Sequence, residues 1–194
     1  MISAKIGHAL DGILLKIYRF FFRNRDINPN IITICGVVFG CIAALFIALQ
    51  YLVWGGITFL IAGFFDLLDG ALARGSGRVS RFGGFFDSVL DRYTDLVILF
   101  GIFVSYIHAG DIVYAIVTFI ASIGTAIIPY TKARAEAAHF SCNTGMMERP
   151  ERIIIILIGL FFNLLSYAVV ILAVATHVTV IQRILFVKAQ STEK

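Results

Sequence analysis

From Ile31 to Trp54 the chain carries no charged residue, and a run of that length, at about 20 residues per bilayer crossing, specifies a transmembrane helix. Its surroundings agree: across 194 residues 59% are apolar and only 14% are charged. A soluble domain needs roughly a quarter of its residues charged to cover its surface, so the solvent for most of this chain is lipid. Disorder, coiled coil and collagen are excluded by the same composition. The formal charge of +4 does not indicate nucleic acid, because the basic residues are not interleaved with aromatics on a polar face. An anionic membrane surface or an anionic substrate fits it better. Cys35, Cys41 and Cys142 form no C-x-x-C pair and read as small structural hydrophobes.

The expected fold is all-α: a polytopic membrane bundle preceded by an interfacial helix over residues 1–27. In that first segment Asp11, Lys16 and Arg19 interrupt the apolar stretch, which argues against a cleaved signal. Ile6, Leu10, Ile13, Leu14, Ile17, Phe20 and Phe21 recur at helical spacing, with Lys5, Lys16, Arg19, Arg23 and Arg25 able to reach headgroups. Asn28-Pro29-Asn30 breaks it. Spans then follow over residues 31–54, ended by Gly55-Gly56, and over about 57–73, 84–107 and 112–131. The last apolar run, Ile153 to Ile181, would be ~43 Å long as one helix against a ~30 Å hydrocarbon core. Divided near Asn163 to Ser166 it gives two short spans. The basic residues decide between these: with six spans the amino-terminal segment, 74–92, 132–152 and the tail from Arg183 all lie on one, cytoplasmic, side, and the opposite turns contain no Lys or Arg. Both termini are then cytoplasmic.

Charged groups inside spans are costly and therefore informative. The second span ends FFDLLDGALAR, with Asp66 and Asp69 on one helical face; the third begins GGFFDSVLDRYTD, with Asp87, Asp91 and Asp95 at four-residue spacing on one face. The short segment between them predicts neighbouring antiparallel helices whose carboxylates meet at similar depth near the cytoplasmic surface. Such a cluster requires cations, because each isolated buried carboxylate costs several kcal/mol. Magnesium or manganese, hard ions that prefer oxygen, supply them; pairing with Arg74, Arg78, Arg81 and Arg92 is the alternative. Asp95, beyond Asp91, reads as a partner of Arg92. Lys132, Arg134, Arg149 and Arg152 gather around one turn and Arg183 lies at the end of the last span, so they could converge beside the acids. For Arg149 and Arg134 a role in topology or headgroup contact is an equal reading. The four histidines are scattered and read as interfacial or packing residues, and Trp54, Tyr51 and Tyr106 as an aromatic belt.

The pattern Asp66-x-x-Asp69-Gly70-x-x-Ala73-Arg74, eight residues, then Gly83-x-x-x-Asp87-x-x-x-Asp91 resembles the signature of the CDP-alcohol phosphotransferase family. PNIIT, KARAEA, MERPERIIIIL and Gln182-Arg183 are similar to its phosphatidylinositol phosphate synthase and archaetidylinositol phosphate synthase branch. One departure is Pro129, where that branch tends to have Ser three residues before the lysine. The resemblance implies a single membrane domain over 1–194, with the six-helix bundle at 31–187, acting as a CMP-releasing transferase. It implies that Asp66, Asp69, Asp87 and Asp91 hold two divalent ions, with Asp91 also the general base. Pro29, Asn30, Ile31, Asp69, Gly70, Ala73, Arg74 and Ser80 would bind a CDP-lipid, and Lys132, Arg152 and Arg183 the phosphate of an inositol phosphate acceptor. It further implies a homodimer in the cell membrane, with the active site cytoplasmic. Glycerol phosphate or another alcohol is the alternative acceptor. A small ion-coupled transporter is a more distant alternative, whose sites usually lie near the bilayer midplane between repeats.

Overall fold

The computed structural model describes residues 12, 16, 28–75 and 80–192; the expected interfacial helix over residues 1–27 falls almost wholly outside them, as does Arg78. The described residues form six helices and no strand: α1 Pro29–Ala48, α2 Leu52–Gly75, α3 Arg81–His108, α4 Ile112–Ala137, α5 Arg149–Phe161 and α6 Leu165–Thr192. Four of them, α1, α2, α4 and α6, are long and apolar enough to cross a membrane.

Local chemistry sets their ends. Asn28 caps α1, its side chain accepting from the Asn30 backbone N–H at 3.1 Å, while Pro29 occupies the first turn, where its missing N–H costs nothing. Ser80 caps α3 in the same way, its hydroxyl accepting from Gly83 N–H at 2.9 Å. Asp111 caps α4. The last apolar run is divided as expected, at Asn163, which takes φ 57°. The two pieces are unequal, however. α5 has only 13 residues, about 20 Å at 1.5 Å per residue, whereas α6 continues beyond Ile181 and has 28 residues.

One expectation is corrected here. Gly55-Gly56 do not end the first span. α1 stops at Ala48, the chain reverses through Gln50 at φ 69°, and both glycines lie buried inside α2. Gln50 makes the turn possible by donating its side-chain amide to the Ser105 carbonyl at 2.7 Å, which ties the turn to the end of α3. The glycines serve packing: a Cβ on Gly55 would stand 3.4 Å from the Ala43 carbonyl and one on Gly56 3.0 Å from the Phe161 ring. The acid-bearing helices α2 and α3 are neighbours as expected, their carboxylates meeting, although each packs chiefly on α1 rather than along the other. Both pack on α1; α3 also packs on α4, α4 on α6, α6 on α5 and α5 on α2. The acid-bearing helices therefore face each other across a gap with α1 behind it.

Small residues set the closest approach of α1 and α3, as expected where lipid supplies no hydrophobic drive between helices. Gly101 lies against the Ala44 backbone, whose Cα would be 2.8 Å from an added Cβ. The buried core runs from Ala43, Ala44 and Ile47 through Ile98, Leu99 and Ile102 to Leu160, Val169 and Leu172. Outward rows such as Ile34, Val38, Ile42 and Leu45 on α1 are exposed, consistent with a lipid-facing surface. Gly101→Ala is expected to destabilise the protein by about 1–3 kcal/mol, because backbone rather than a mobile side chain must yield. Gly63→Ala, where an added Cβ meets nothing within 4 Å, is the control. Equal detergent unfolding midpoints for the two variants would contradict this packing.

Candidate active site

The gap between α2 and α3 is where the carboxylates meet. One carboxylate oxygen from each of Asp66, Asp87 and Asp91 can be chosen so that all three lie within 4.8 Å of one another. Helical spacing puts Asp87 and Asp91 one turn apart on α3, and Asp66 reaches them from α2. Asp69, expected in the same cluster, is not part of this triad. It lies one turn along α2, only 5% exposed, and lines a cavity together with Asp87. One oxygen of Asp69, Oδ2, and one of Asp87, Oδ1, are buried without a protein hydrogen-bond partner. Hard anionic oxygens in this number, partly unsatisfied, fit a divalent cation such as magnesium or manganese.

Among the described residues Arg149, at the start of α5, is ion-paired directly with this cluster. Its Nη1 lies 2.7 Å from Asp66 Oδ1 and 2.9 Å from Asp91 Oδ1, and its Nε 3.4 Å from Asp95 Oδ1. The sequence offered topology or headgroup contact as an equal role for this residue. The structure places it at the centre of the site. Asp95 is corrected as well: its second oxygen accepts from Arg152 Nη2 at 2.6 Å, while Arg92, the expected partner, donates Nη1 to the Ser88 carbonyl of its own helix. What signal could have found these contacts lies in Arg149-Pro150-Glu151-Arg152, which puts two arginines in the first turn of a helix. Cations are unfavourable at a helix N-terminus, so an acidic counterpart elsewhere is required.

Two cavities join at the acids. One, of about 660 Å³, is lined by polar and small residues: Asn28, Pro29, Asn30, Thr33, Asp69, Gly70, Ala73, Arg74, Ser80, Gly83, Gly84 and Asp87. It thus gathers all the residues expected for a CDP-lipid except Ile31, which does not line it and is 54% exposed. Asn28, Thr33, Gly83 and Gly84 were not anticipated as lining residues. Gly70 has a steric reason: a Cβ there would be 3.1 Å from Arg74 Nη1, so the glycine lets the guanidinium fold back over its own helix. The second cavity, about 980 Å³, shares Asp69, Gly70, Arg74 and Asp87 and adds Asp66, Asp91 and Arg149. Its remaining wall is apolar, including Leu60, Leu67 and Ile154, all exposed on the outer surface.

The residues expected to bind an acceptor are partly brought together. Arg152 and Arg183 are both buried and both tied to one loop, Arg152 Nη1 to the Met147 carbonyl at 3.3 Å and Arg183 Nε to the Thr144 carbonyl at 3.0 Å. Arg183 Nη1 also donates to the Ile128 carbonyl, one helical turn before Lys132. Lys132 itself is more exposed and lies 4.0 Å from Glu136.

A sequence model described as CDP-alcohol phosphatidyltransferase matches residues 26–181. The chain belongs to the CDP-alcohol phosphatidyltransferase family. Among its relatives is the archaetidylinositol phosphate synthase of Pyrococcus horikoshii, 42% identical over 159 residues, covering 81% of this chain and 82% of that one. The phosphatidylinositol phosphate synthase of Mycobacteroides abscessus is 36% identical over 189 residues, 93% of this chain and 82% of the relative. Among solved structures, the phosphatidylinositol phosphate synthase of Mycobacterium tuberculosis with CDP-DAG bound superposes with a TM-score of 0.82 at 34% identity, covering 90% of this chain and 93% of that one. The same enzyme in complex with manganese and citrate gives 0.81 at 33% identity, covering 90% and 88%.

Arg149→Gln leaves Asp66, Asp91 and Asp95 without their shared cation, and the expected loss of stability is about 3 kcal/mol. Millimolar Mn²⁺ should restore much of it. Thermal unfolding in detergent, with chelator and with Mn²⁺, measures both, and a midpoint unchanged by the substitution under chelator would contradict the assigned role of Arg149.

Proposed function

We propose that this chain is an integral-membrane transferase that moves a lipid-phosphate group from a CDP-lipid to a hydroxyl of inositol phosphate, releasing CMP and forming a phosphatidylinositol phosphate-type lipid. The observation that carries this reading is the junction of the two cavities. A compartment rich in Asn, Ser and charged side chains and a second one whose outer wall is Leu, Ile and Phe share Asp69, Gly70, Arg74 and Asp87. A CDP-lipid has the same division: a nucleotide, a diphosphate and hydrocarbon chains. The CDP-DAG-bound structure of a relative and the product lipids that both relatives' names give, archaetidylinositol phosphate and phosphatidylinositol phosphate, support it.

In this reading Asn30 and Ser80 with Pro29 and Ala73 flank the nucleotide, and Arg74, folded over Gly70, grips the diphosphate oxygens. Asp66, Asp69, Asp87 and Asp91 would hold two ions, magnesium or manganese. When bound, these ions offset the charge that develops on the departing CMP. Asp91 takes the proton from the acceptor hydroxyl as its oxygen bonds to the lipid-linked phosphorus and the bond to CMP breaks. Lys132, Arg152 and Arg183 hold the acceptor's own phosphate, for which planar guanidinium groups are well matched.

The reading includes six spans over one domain, 1–194, in the cell membrane, with both termini and the site at the cytoplasmic face and the chain paired as a homodimer. The turns at 49–51, 109–111 and 162–164 contain no Lys or Arg, whereas Arg74, Arg81, Lys132, Arg134, Arg149 and Arg152 lie at the opposite helix ends. α3 falls short of the others in apolar character because its first turns carry the acids, and α5 is short because it begins within the site.

CMP release from CDP-diacylglycerol in detergent should require a divalent ion and prefer inositol phosphate over glycerol phosphate and free inositol. Incorporation of labelled glycerol phosphate in clear preference would overturn the acceptor assignment. Asp91→Asn should lower turnover by roughly 100-fold or more while leaving CDP-lipid binding largely intact, and near-normal turnover would remove Asp91 as the base.

A further inference from the structure

Asp95 lies outside the family pattern, one turn beyond Asp91 on α3, with a side chain only 11% exposed. Its two oxygens hold two different arginines. Oδ2 takes Arg152 Nη2 at 2.6 Å and Oδ1 takes Arg149 Nε at 3.4 Å. Arg149 then continues to Asp66 and Asp91. Arg152 continues the other way, through the Met147 carbonyl; Met147 N–H donates to Thr179 Oγ1 at 3.1 Å, one turn before Arg183 on α6. A single carboxylate therefore joins the frame of the acid cluster to the frame of the basic cluster.

Two physical requirements meet at this residue. Arg152 is 7% exposed in its side chain, and a buried guanidinium needs a fixed counter-charge. Its two bonds, to Asp95 and Met147, use two of five N–H donors and fix the guanidinium plane, which leaves donors for an anion. We infer that Asp95 is a positioning residue for the acceptor: it orients Arg152 toward the acceptor phosphate and holds it apart from the catalytic carboxylates. The inference rests on the acceptor reading above.

The test compares Arg152→Gln, Asp95→Asn, Asp95→Glu and the double variant Asp95→Asn/Arg152→Gln in the full-length protein. Apparent KM is measured for inositol phosphate and for CDP-diacylglycerol, with calorimetric binding of inositol phosphate alongside. Asp95→Asn is expected to raise the acceptor KM and weaken acceptor binding roughly 10-fold, as for loss of a charged hydrogen bond, with the CDP-lipid KM changed less than about 2-fold. Asp95→Glu, keeping the charge, should recover part of the loss. In the double variant the acceptor KM should equal that of Arg152→Gln alone, since Asp95 acts through Arg152. An acceptor KM unchanged by Asp95→Asn, or additive losses in the double variant, would overturn the inference, as would equal losses for both substrates. If Asp95→Asn does not fold, Asp95→Glu carries the test: the displaced carboxylate should raise the acceptor KM by a smaller factor with the CDP-lipid KM changed less than about 2-fold, and an unchanged acceptor KM would overturn the inference. Arg152→Gln without effect on the acceptor KM would overturn the acceptor reading and this inference together; a clear Arg152 effect with a silent Asp95 overturns this inference alone.

Discussion

Carboxylates that face one another at the polar edge of a membrane protein repel, and the low dielectric around them makes the repulsion expensive unless cations are held among them. Asp66 and Asp69 on α2 and Asp87, Asp91 and Asp95 on α3 impose that condition on this fold. Both helices pack on α1 rather than on each other, so the acids border an open cleft instead of a closed seam. Arg149 spans 83 residues of sequence to reach Asp66. Its placement explains why α5 begins where it does and why α5 packs on α2.

The cleft's two compartments follow from the same arrangement. Toward the α1 and α3 starts, Asn28, Asn30 and Ser80 present polar groups, two of them already acting as helix caps. Toward α5, Leu60, Leu67 and Ile154 continue the apolar outer surface inward. On the proposed reading, a CDP-lipid, with its diphosphate between a nucleotide and hydrocarbon, meets walls of matching chemistry in this cleft.

Much of this was legible in the sequence because it depends on local spacing. Charge-free runs gave the long helices, Asn163 divided the last run, and the four-residue interval between Asp87 and Asp91 gave a shared face. What was not legible depends on long-range approach. Gly55-Gly56 read as a chain break, since a glycine pair in a turn and one under a packed helix look alike before the neighbour Ile47 or Phe161 is known. Asp95 read as a partner of nearby Arg92, yet it pairs with Arg149 and Arg152, 54 and 57 residues away. Ile31 followed its neighbours Pro29 and Asn30 in the family motif, but helical rotation turns it outward.

The central claim is that the carboxylates of α2 and α3 together form a divalent-cation site against which the lipid diphosphate is held. Anomalous diffraction at the manganese edge, from crystals of this protein grown with Mn²⁺ and a CDP-lipid, tests it most directly. Density coordinated by Asp66, Asp87 and Asp91 and adjoining the diphosphate is expected, with Arg149 withdrawn from at least one of the oxygens it shares. Manganese bound only elsewhere, with Arg149 still bridging Asp66 and Asp91 beside the bound lipid, would contradict it.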